Sequence, residues 1–470
     1  MTSSRIHHAL ASASLLPLVA DAYHTASPSD VTDHWFGITT VLTAQAGEAH
    51  GPRLWKMHAA RTRHSGVRNI IRRVLLDRGG KGKNDLHSTL TGLQASLKAH
   101  AKEERKRIER TISYLEDRVA ALRQELMADS SLGEKYEELV TYETLLKAYR
   151  DSQRRQKQTM VRVGAGMNGE IATKFLTRRI ASRKAKMVIK EIVYRGKWYE
   201  GEREVLTTVL EFFSKLFGVK QKDADIDKWP MDPAKILDAE AKQRLSAPWS
   251  EEEVRQAMRE LPWGKAPGAD GLPKELLVDN SDLLGESVMD FMRDFEKMAK
   301  LPRRASIAVT ILLHKKGERT GLGNYRPITL LSATYKIVAK LLANRMKRVL
   351  PQVISENQFG FVPGRPLADA VKVVADTINE AVTRKEDLYL LLVDFQKAYD
   401  SVSRNFLFHT LERMGFPKEF IEWTKGLHDQ AVTQLLINGW LGEREEVESG
   451  VLQGCPLSPY LFICTAEPLS

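Results

Sequence analysis

Six consecutive apolar residues, Leu388 to Val393, run straight into a carboxylate, Asp394, in the stretch LYLLLVDFQKAYDSV. A short continuous apolar run predicts a strand covered on both faces, and such strands sit in the central sheet of an α/β protein. Ending that strand on an unpaired charge is costly, because a carboxylate withdrawn from water needs compensation. A lone Asp at a strand end is usually a loop cap or half of a salt bridge. The other option is a divalent cation such as Mg²⁺, which takes carboxylate oxygens together with substrate phosphates. The surroundings favour the cation. Lys315 and Lys316 close another predicted strand, Arg326 lies in NYRPI, and SGVLQGCPLSPYLF adds Gly- and Pro-rich backbone that allows close approach to a base pair.

The rest of the C-terminal half alternates helix and strand. SIAVTILLHKKG reads as a strand, TYKIVAKLLANRMKRVLPQVI as a helix closed by Pro351, and ADAVKVVADTINEAVTRK as another helix. SRNFLFHTLERMG is a helix with Ser403 as N-cap and Gly415 just past its end. VTQLLINGW and EREEVESGV read as a hairpin around Gly439–Gly442, and SPYLFICTAEPL begins a helix. Upstream, Leu86, Leu90, Leu93, Leu97, Ala101, Ile108, Ile112, Leu115, Val119, Leu122 and Leu126 recur mostly at steps of four and three, predicting one long helix. The charges between them, KEERKRIER, read as its solvated face. KFLTRRIASRKAKMVIK, residues 174–190, is a second amphipathic and strongly basic segment. Its Arg178, Arg179, Arg183, Lys184 and Lys186 could grip a phosphate backbone or form a plain surface helix. Asp223–Ala247 reads as a polar linker, followed by a capping box, Ser250 with Glu253, opening a helix that ends near Leu261.

The net charge of +11 points to a polyanionic partner, with nucleic acid the leading candidate. The two cysteines, Cys455 and Cys464, have no zinc-ligand spacing and suit a reducing compartment. No apolar run approaches the ~20 residues that span a bilayer, so an intracellular location, nuclear or cytoplasmic, is expected. ALASASLLPLVADAY near the start is read as part of a fold rather than as a signal peptide.

Five blocks in order carry a resemblance: GKAPGADGLPKELL (264–277), NYRPITLLSATYKIVAKLLANRM (324–346), ISENQFGFVPGR (354–365), LLVDFQKAYDSV (391–402) and GVLQGCPLSPYLF (450–462). Residues 263–470 resemble the fingers and palm of a reverse transcriptase from a non-LTR (LINE-type) retrotransposon. The resemblance implies an RNA-directed DNA polymerase that uses an RNA template, a DNA primer or target, deoxynucleoside triphosphates and two Mg²⁺ ions, with Mn²⁺ as an alternative. It implies that Asp394 is the first catalytic aspartate, binding both ions, and that the main-chain carbonyl of Phe395 is a further ligand. Tyr399 matches the steric gate against a 2′-hydroxyl. Arg326, and Lys315 after it, match groups that hold the triphosphate. Gln453 and Gly454 match the loop lining the nascent base pair. Asp400 belongs to the same motif and points to a hydrogen-bonding, structural role. The chemistry suits these residue types, since phosphoryl transfer is catalysed by positioning and charge neutralisation.

The family's second metal-binding motif, an aromatic–X–Asp–Asp hairpin, has no match downstream of GVLQGCPLSPYLF, so a chain truncated before that motif, with doubtful activity, is expected. SRIHHALASASLL and TDHWFGITTVL resemble the last strands of an apurinic-type endonuclease, with His7 where that family has Asp and with Asp33–His34 matching its terminal pair. The expected fold class is thus α/β: right-hand polymerase fingers and incomplete palm, after a long helical linker and a short β-rich nuclease remnant. The expected domains are a nuclease C-terminal remnant at 1–58, a helical basic linker at 59–225, a connector at 226–262, and fingers with partial palm at 263–470. Two other readings stay open: an inactive nucleic-acid-binding remnant, and a binding subunit whose palm and thumb are supplied in trans.

Overall fold

The computed structural model describes residues 19–25, 36–41, 54–78, 85–128, 133–162, 188–218, 229, 234–395 and 397–469. The chain divides into two compact units, Met1–Pro52 and Arg53–Ser470. In the first, β1 (Val19–Thr25) and β2 (Phe36–Val41) form an antiparallel pair, so WFGITTVL does contain a strand. His7, Asp33 and His34 lie outside the described residues.

The second unit opens with α1 (Ser65–Arg78), α2 (Leu86–Ala128) and α3 (Gly133–Arg162). The predicted long helix is present as α2, a rod about 65 Å long at 1.5 Å per residue. Its stripe serves two neighbours in turn. Leu86, Leu90, Leu93 and Leu97 enter the main core beside Val67, Ile71 and Val74 of α1. Further on, Leu115 and Val119 meet Leu146 of α3 in a separate small core. Ion pairs Arg118–Glu138 (2.8 Å), Arg123–Glu143 (2.6 Å) and Arg150–Glu116 (2.7 Å) bridge the α2–α3 pair, but all are well solvated and each contributes little.

Next come the hairpin β3 (Glu191–Tyr194) and β4 (Lys197–Glu200), then α4 (Glu202–Phe217), α5 (Ala239–Ser246), α6 (Glu251–Glu260), α7 (Lys274–Asp279) and α8 (Ser281–Met298). The Ser250–Glu253 capping box forms as read. The stretch read as a plain linker contains α5, because Asp238 caps it and Ala241 and Leu245 reach the core. Arg345 holds α5 and α6 in place, pairing with Glu253 at 2.8 Å and donating to the carbonyls of Leu245, Ala247 and Pro248.

The four-stranded sheet is built from β5 (Ile307–His314), β6 (Tyr325–Leu330), β7 (Val432–Ile437) and β8 (Trp440–Glu446), in the order β6-β5-β7-β8. β5 runs antiparallel to β6 and parallel to β7, while β7 and β8 form the predicted hairpin. Its turn is Asn438–Gly439, with Gly442 already inside β8. On one face α4 and the β3–β4 hairpin cover Leu312, Tyr325, Leu435 and Ile437 with Ile192, Val205, Val209, Phe213 and Phe217. The remaining helices are α9 (Ala333–Val353), α10 (Leu367–Arg384), α11 (Arg404–Arg413), α12 (Lys418–His428) and α13 (Ser458–Ala466). Pro351 sits inside the last turn of α9 instead of closing it. Ser403 caps α11 through the Phe406 N–H, and Gly415 follows with φ 79°, as expected.

The predicted central strand is not a strand. Leu388–Val393 has no regular structure, and its side chains are exposed, Tyr389 at 91% and Leu391 at 84%. Among the described residues no strand lies beside it. An apolar run states that side chains favour cover; the pairing that makes a strand comes from a neighbouring backbone. The preceding α10 shares this condition. Leu367, Val371, Val374, Ile378 and Val382 make an amphipathic stripe, yet no residue of the helix is buried.

Candidate active site

Three segments meet at the edge of the sheet. The turn Lys397–Val402 is hydrogen-bonded to the loop Gly450–Gly454: the Gly450 N–H donates to Val402 O and the Val451 N–H to Tyr399 O, both at 2.9 Å. That loop caps the outer strand, since the Thr329 N–H of β6 donates to Gln453 O at 2.7 Å. The contacts leave no room for side chains. A Cβ on Gly450 would lie 2.8 Å from Tyr399 O, and one on Gly454 only 2.5 Å from Thr329 O. Both glycines also have positive φ, 76° and 117°. The glycines of GVLQG are therefore required by close backbone packing.

Within this frame Gln453 Nε2 donates to Asp400 Oδ2 at 3.1 Å. Burial pushes the Asp400 carboxyl up to about 6, against the opposing pull of that hydrogen bond and of the Lys397 charge. Asp400 thus has a structural hydrogen bond, as its motif suggests. A small cleft beside it is lined by Phe217, Pro327, Thr329, Asp400, Ser449 and Gln453, among others. The Tyr399 ring stacks on Phe462 of α13 at 5.4 Å, and the Phe395 ring meets the same Phe462 edge-on at 5.7 Å. Burial raises the Tyr399 hydroxyl above its ordinary value. Lys397 Nζ lies 5.0 Å from the centre of the Phe212 ring, which ties α4 to the same turn.

The other sequence-selected residues are more scattered. Asp394 is exposed in the irregular run before the Tyr399 turn. Arg326 is exposed and paired across β5 with Leu313, on the face of β6 opposite to Tyr325, Pro327 and Thr329. Lys315 is exposed at the end of β5, its N–H donating to Asn324 O at 2.8 Å. Arg178, Arg179, Arg183, Lys184 and Lys186 lie outside the described residues. Sequence reasoning missed Arg404, which donates from Nε to Gly450 O at 3.0 Å and from Nη1 to His428 O at 3.3 Å, bracing the loop from behind. It missed Thr329 and Phe462 too. Nothing local marks these residues, because each acts through partners distant in sequence.

The metal ions fit poorly here. Among the described residues no group of three or more His, Cys, Asp or Glu side chains is placed to hold a cation. One carboxylate and one main-chain carbonyl do not make a cage for two divalent ions.

Residues 313–470 match the family described as reverse transcriptase (RNA-dependent DNA polymerase). The chain thus carries a reverse transcriptase domain of mixed helix and sheet. The relatives are proteins of mobile elements, and the domain is of the LINE type found in non-LTR retrotransposons. An uncharacterized 149 kDa protein of transposon TX1 from Xenopus laevis is 35% identical over 257 residues, covering 55% of this chain and 20% of that protein. The Pol polyprotein of the type-2 element R2DM from Drosophila melanogaster is 28% identical over 46% of this chain and 20% of its own length. The RNA-directed DNA polymerase of the mobile element jockey, from the same fly, is 28% identical over 46% of this chain and 24% of its own. The chain thus spans about a fifth to a quarter of the length of the curated relatives it matches. No helix among the described residues is long and apolar enough to cross a membrane.

Proposed function

We propose that the chain is the fingers and part of the palm of an RNA-directed DNA polymerase of a non-LTR retrotransposon, acting on an RNA template, a DNA primer and deoxynucleoside triphosphates. The observation that carries this reading is the bonded frame of the Tyr399 turn, the Gly450–Gly454 loop and β6. It joins the backbone of Tyr399, whose ring stacks on Phe462, to the glycine backbone of the loop, which suits checking a nucleotide sugar and a base pair. In this reading Tyr399 is the steric gate, and Gln453 and Gly454 line the base pair. Arg326 and Lys315 meet the triphosphate, and Asp394 and the Phe395 carbonyl are metal ligands. Arg178, Arg179, Arg183, Lys184 and Lys186 hold nucleic acid. The same reading divides the chain into a nuclease remnant (1–58), a basic linker (59–225), a connector (226–262) and the polymerase part (263–470).

A second reading draws on the uncovered Leu388–Val393 run and the shortage of carboxylates: the chain supplies the binding half, and further palm strands with their acids come from a segment paired alongside that run. Primer extension with Mg²⁺ or Mn²⁺ tests the Asp394 site that both readings share. The 470-residue chain should extend a primer little or not at all. Fusing a palm segment that carries an aromatic–X–Asp–Asp hairpin should restore synthesis, and Asp394→Asn should abolish it again. Synthesis that survives Asp394→Asn would remove Asp394 from the site.

A further inference from the structure

The helix α13 is docked by its first residue. Ser458 Oγ donates to Leu452 O at 2.9 Å, inside the Gly450–Gly454 loop. Ser458, Leu461 and Cys464 share one buried face of the helix. Phe462 is the next residue round from Leu461, and its ring is half-buried at the border of the core. Two rings from the Asp394–Val402 segment meet it there. Tyr399 stacks on it at 5.4 Å with 30° between the planes, and Phe395 meets it edge-on at 5.7 Å and 88°. Stacked and edge-on pairs are the arrangements aromatic rings favour.

Each contact matters because of what the rest of the segment leaves open. The Tyr399 main chain is fixed, since its carbonyl accepts from the Val451 N–H at 2.9 Å. A fixed main chain still leaves the side chain its staggered rotamers, and the stacking partner selects among them. Burial is what raises the Tyr399 hydroxyl, rather than a hydrogen bond or a neighbouring charge. Phe395 closes the exposed Leu388–Val393 run and is itself 52% exposed. Among the described residues its ring contact is Phe462. One ring of α13 therefore orders both aromatic side chains of the turn.

We propose that Phe462 is a positioning residue for sugar selection: its ring holds the Tyr399 ring against the place of a 2′-hydroxyl and, through Phe395, steadies the main chain next to Asp394. The inference rests on the reading of Tyr399 as the steric gate. A gate works by filling a volume, so it selects only as well as its ring stays still. A ring free to turn to another rotamer opens the space that the extra oxygen of a ribonucleotide needs. Phe462 itself touches no nucleotide in this arrangement and acts through Tyr399. Filling the border of the core would ask only for a large apolar side chain, whereas holding the gate asks for a ring face.

The test uses the chain fused to the palm segment described above. It reads the ratio of kcat/KM for a deoxynucleotide to that for the matching ribonucleotide. Phe462→Leu should lower this ratio about tenfold, the upper worth of one aromatic pair. Most of the change should be a fall in KM for the ribonucleotide. Phe462→Tyr keeps the ring and should restore most of the ratio. In a Tyr399→Ala background, where the gate is gone, Phe462→Leu should add no more than about twofold. An unchanged ratio in Phe462→Leu, or the same loss without Tyr399, overturns the proposal while leaving the polymerase reading in place. A fusion that makes no DNA removes the polymerase reading, and the proposal with it. The 470-residue chain gives a measurement that needs no synthesis. Nitration by tetranitromethane, read by peptide mass, should be slower at Tyr399 than at Tyr389, which is 91% exposed. Phe462→Leu should raise the rate at Tyr399 and leave that at Tyr389 unchanged. Equal rates at the two tyrosines of the unmodified chain overturn the stacked arrangement, whether or not the variant folds.

Discussion

Two neighbouring stretches of the chain, rich in apolar residues and joined end to end, meet opposite fates. From Val402 to Cys464 most of the apolar side chains are buried, Trp440 and Leu441 of β8 being exceptions: Leu407, Leu411, Phe420, Leu435 and Leu461 have no measurable exposure. From Leu367 to Phe395 they are in water, with Val371 at 70% and Leu392 at 82%. Composition does not separate the two. The first stretch returns on itself through the β7–β8 hairpin, packs α11 against α13 and α12 against α9, and has its loop stitched to β6. The second has amphipathic order of its own, but its apolar side chains stay exposed through Val393, and a described element meets it at its end, where the Phe395 ring lies edge-on to Phe462 of α13. Apolar character sets a demand for cover, and only a neighbour at the right place meets it.

The contrast can be broken at its strongest point first. Phe420→Ala, inside the buried stretch, should cost about 4 kcal/mol in chemical unfolding, the range for emptying a large aromatic site. A loss near zero would mean that α12 is not packed as described.

Gly454→Ala comes next. Its methyl would meet Thr329 O at 2.5 Å, at a φ of 117° that L-residues avoid. A destabilisation of about 3 kcal/mol or more is expected. Gly285→Ala in α8 is the control, since its Cβ would meet nothing within 4 Å and should be neutral or slightly stabilising.

Asp400→Asn tests the electrostatics of the frame. The folded carboxyl is pushed up to about 6, above its unfolded value of roughly 3.9. Between those values the folded state holds more protons, so this group lowers stability as pH rises through the window and keeps it lowered above pH 6. The variant minus wild-type stability should therefore climb from near zero at pH 4 to about 2 kcal/mol at pH 7. Asp270, also pushed up to about 6 by burial, acts in the same direction and cancels in the difference. His428, lowered to about 4 chiefly by burial, acts oppositely, because its folded form holds fewer protons as the pH falls below 6.5. A flat difference curve would place Asp400 in solvent.

The smallest effect belongs to the open stretch. Leu391→Ser with Leu392→Ser should change stability by no more than about 0.5 kcal/mol, as exposed substitutions do. A loss above about 2 kcal/mol would show that the run is covered in solution and would remove the contrast altogether.

Much of the local structure was readable beforehand because it is written within a turn or two of chain. The Ser250–Glu253 box, the Ser403 cap, Gly415 at the end of α11 and the long stripe of α2 each depend on residues a few positions apart. The order of the motif blocks was readable for the same reason, and with it the glycines of GVLQG. Tertiary structure alone decided the rest. It paired Asp400 with Gln453 and brought Phe395 and Tyr399 to one ring of α13. It laid α4 and the YRGKWY hairpin on the sheet, where the sequence suggested a linker, and left Leu388–Val393 without the neighbours a strand requires. The physical reason is range: periodicity and capping are settled by adjacent residues, whereas burial and pairing depend on which distant segments come to lie alongside.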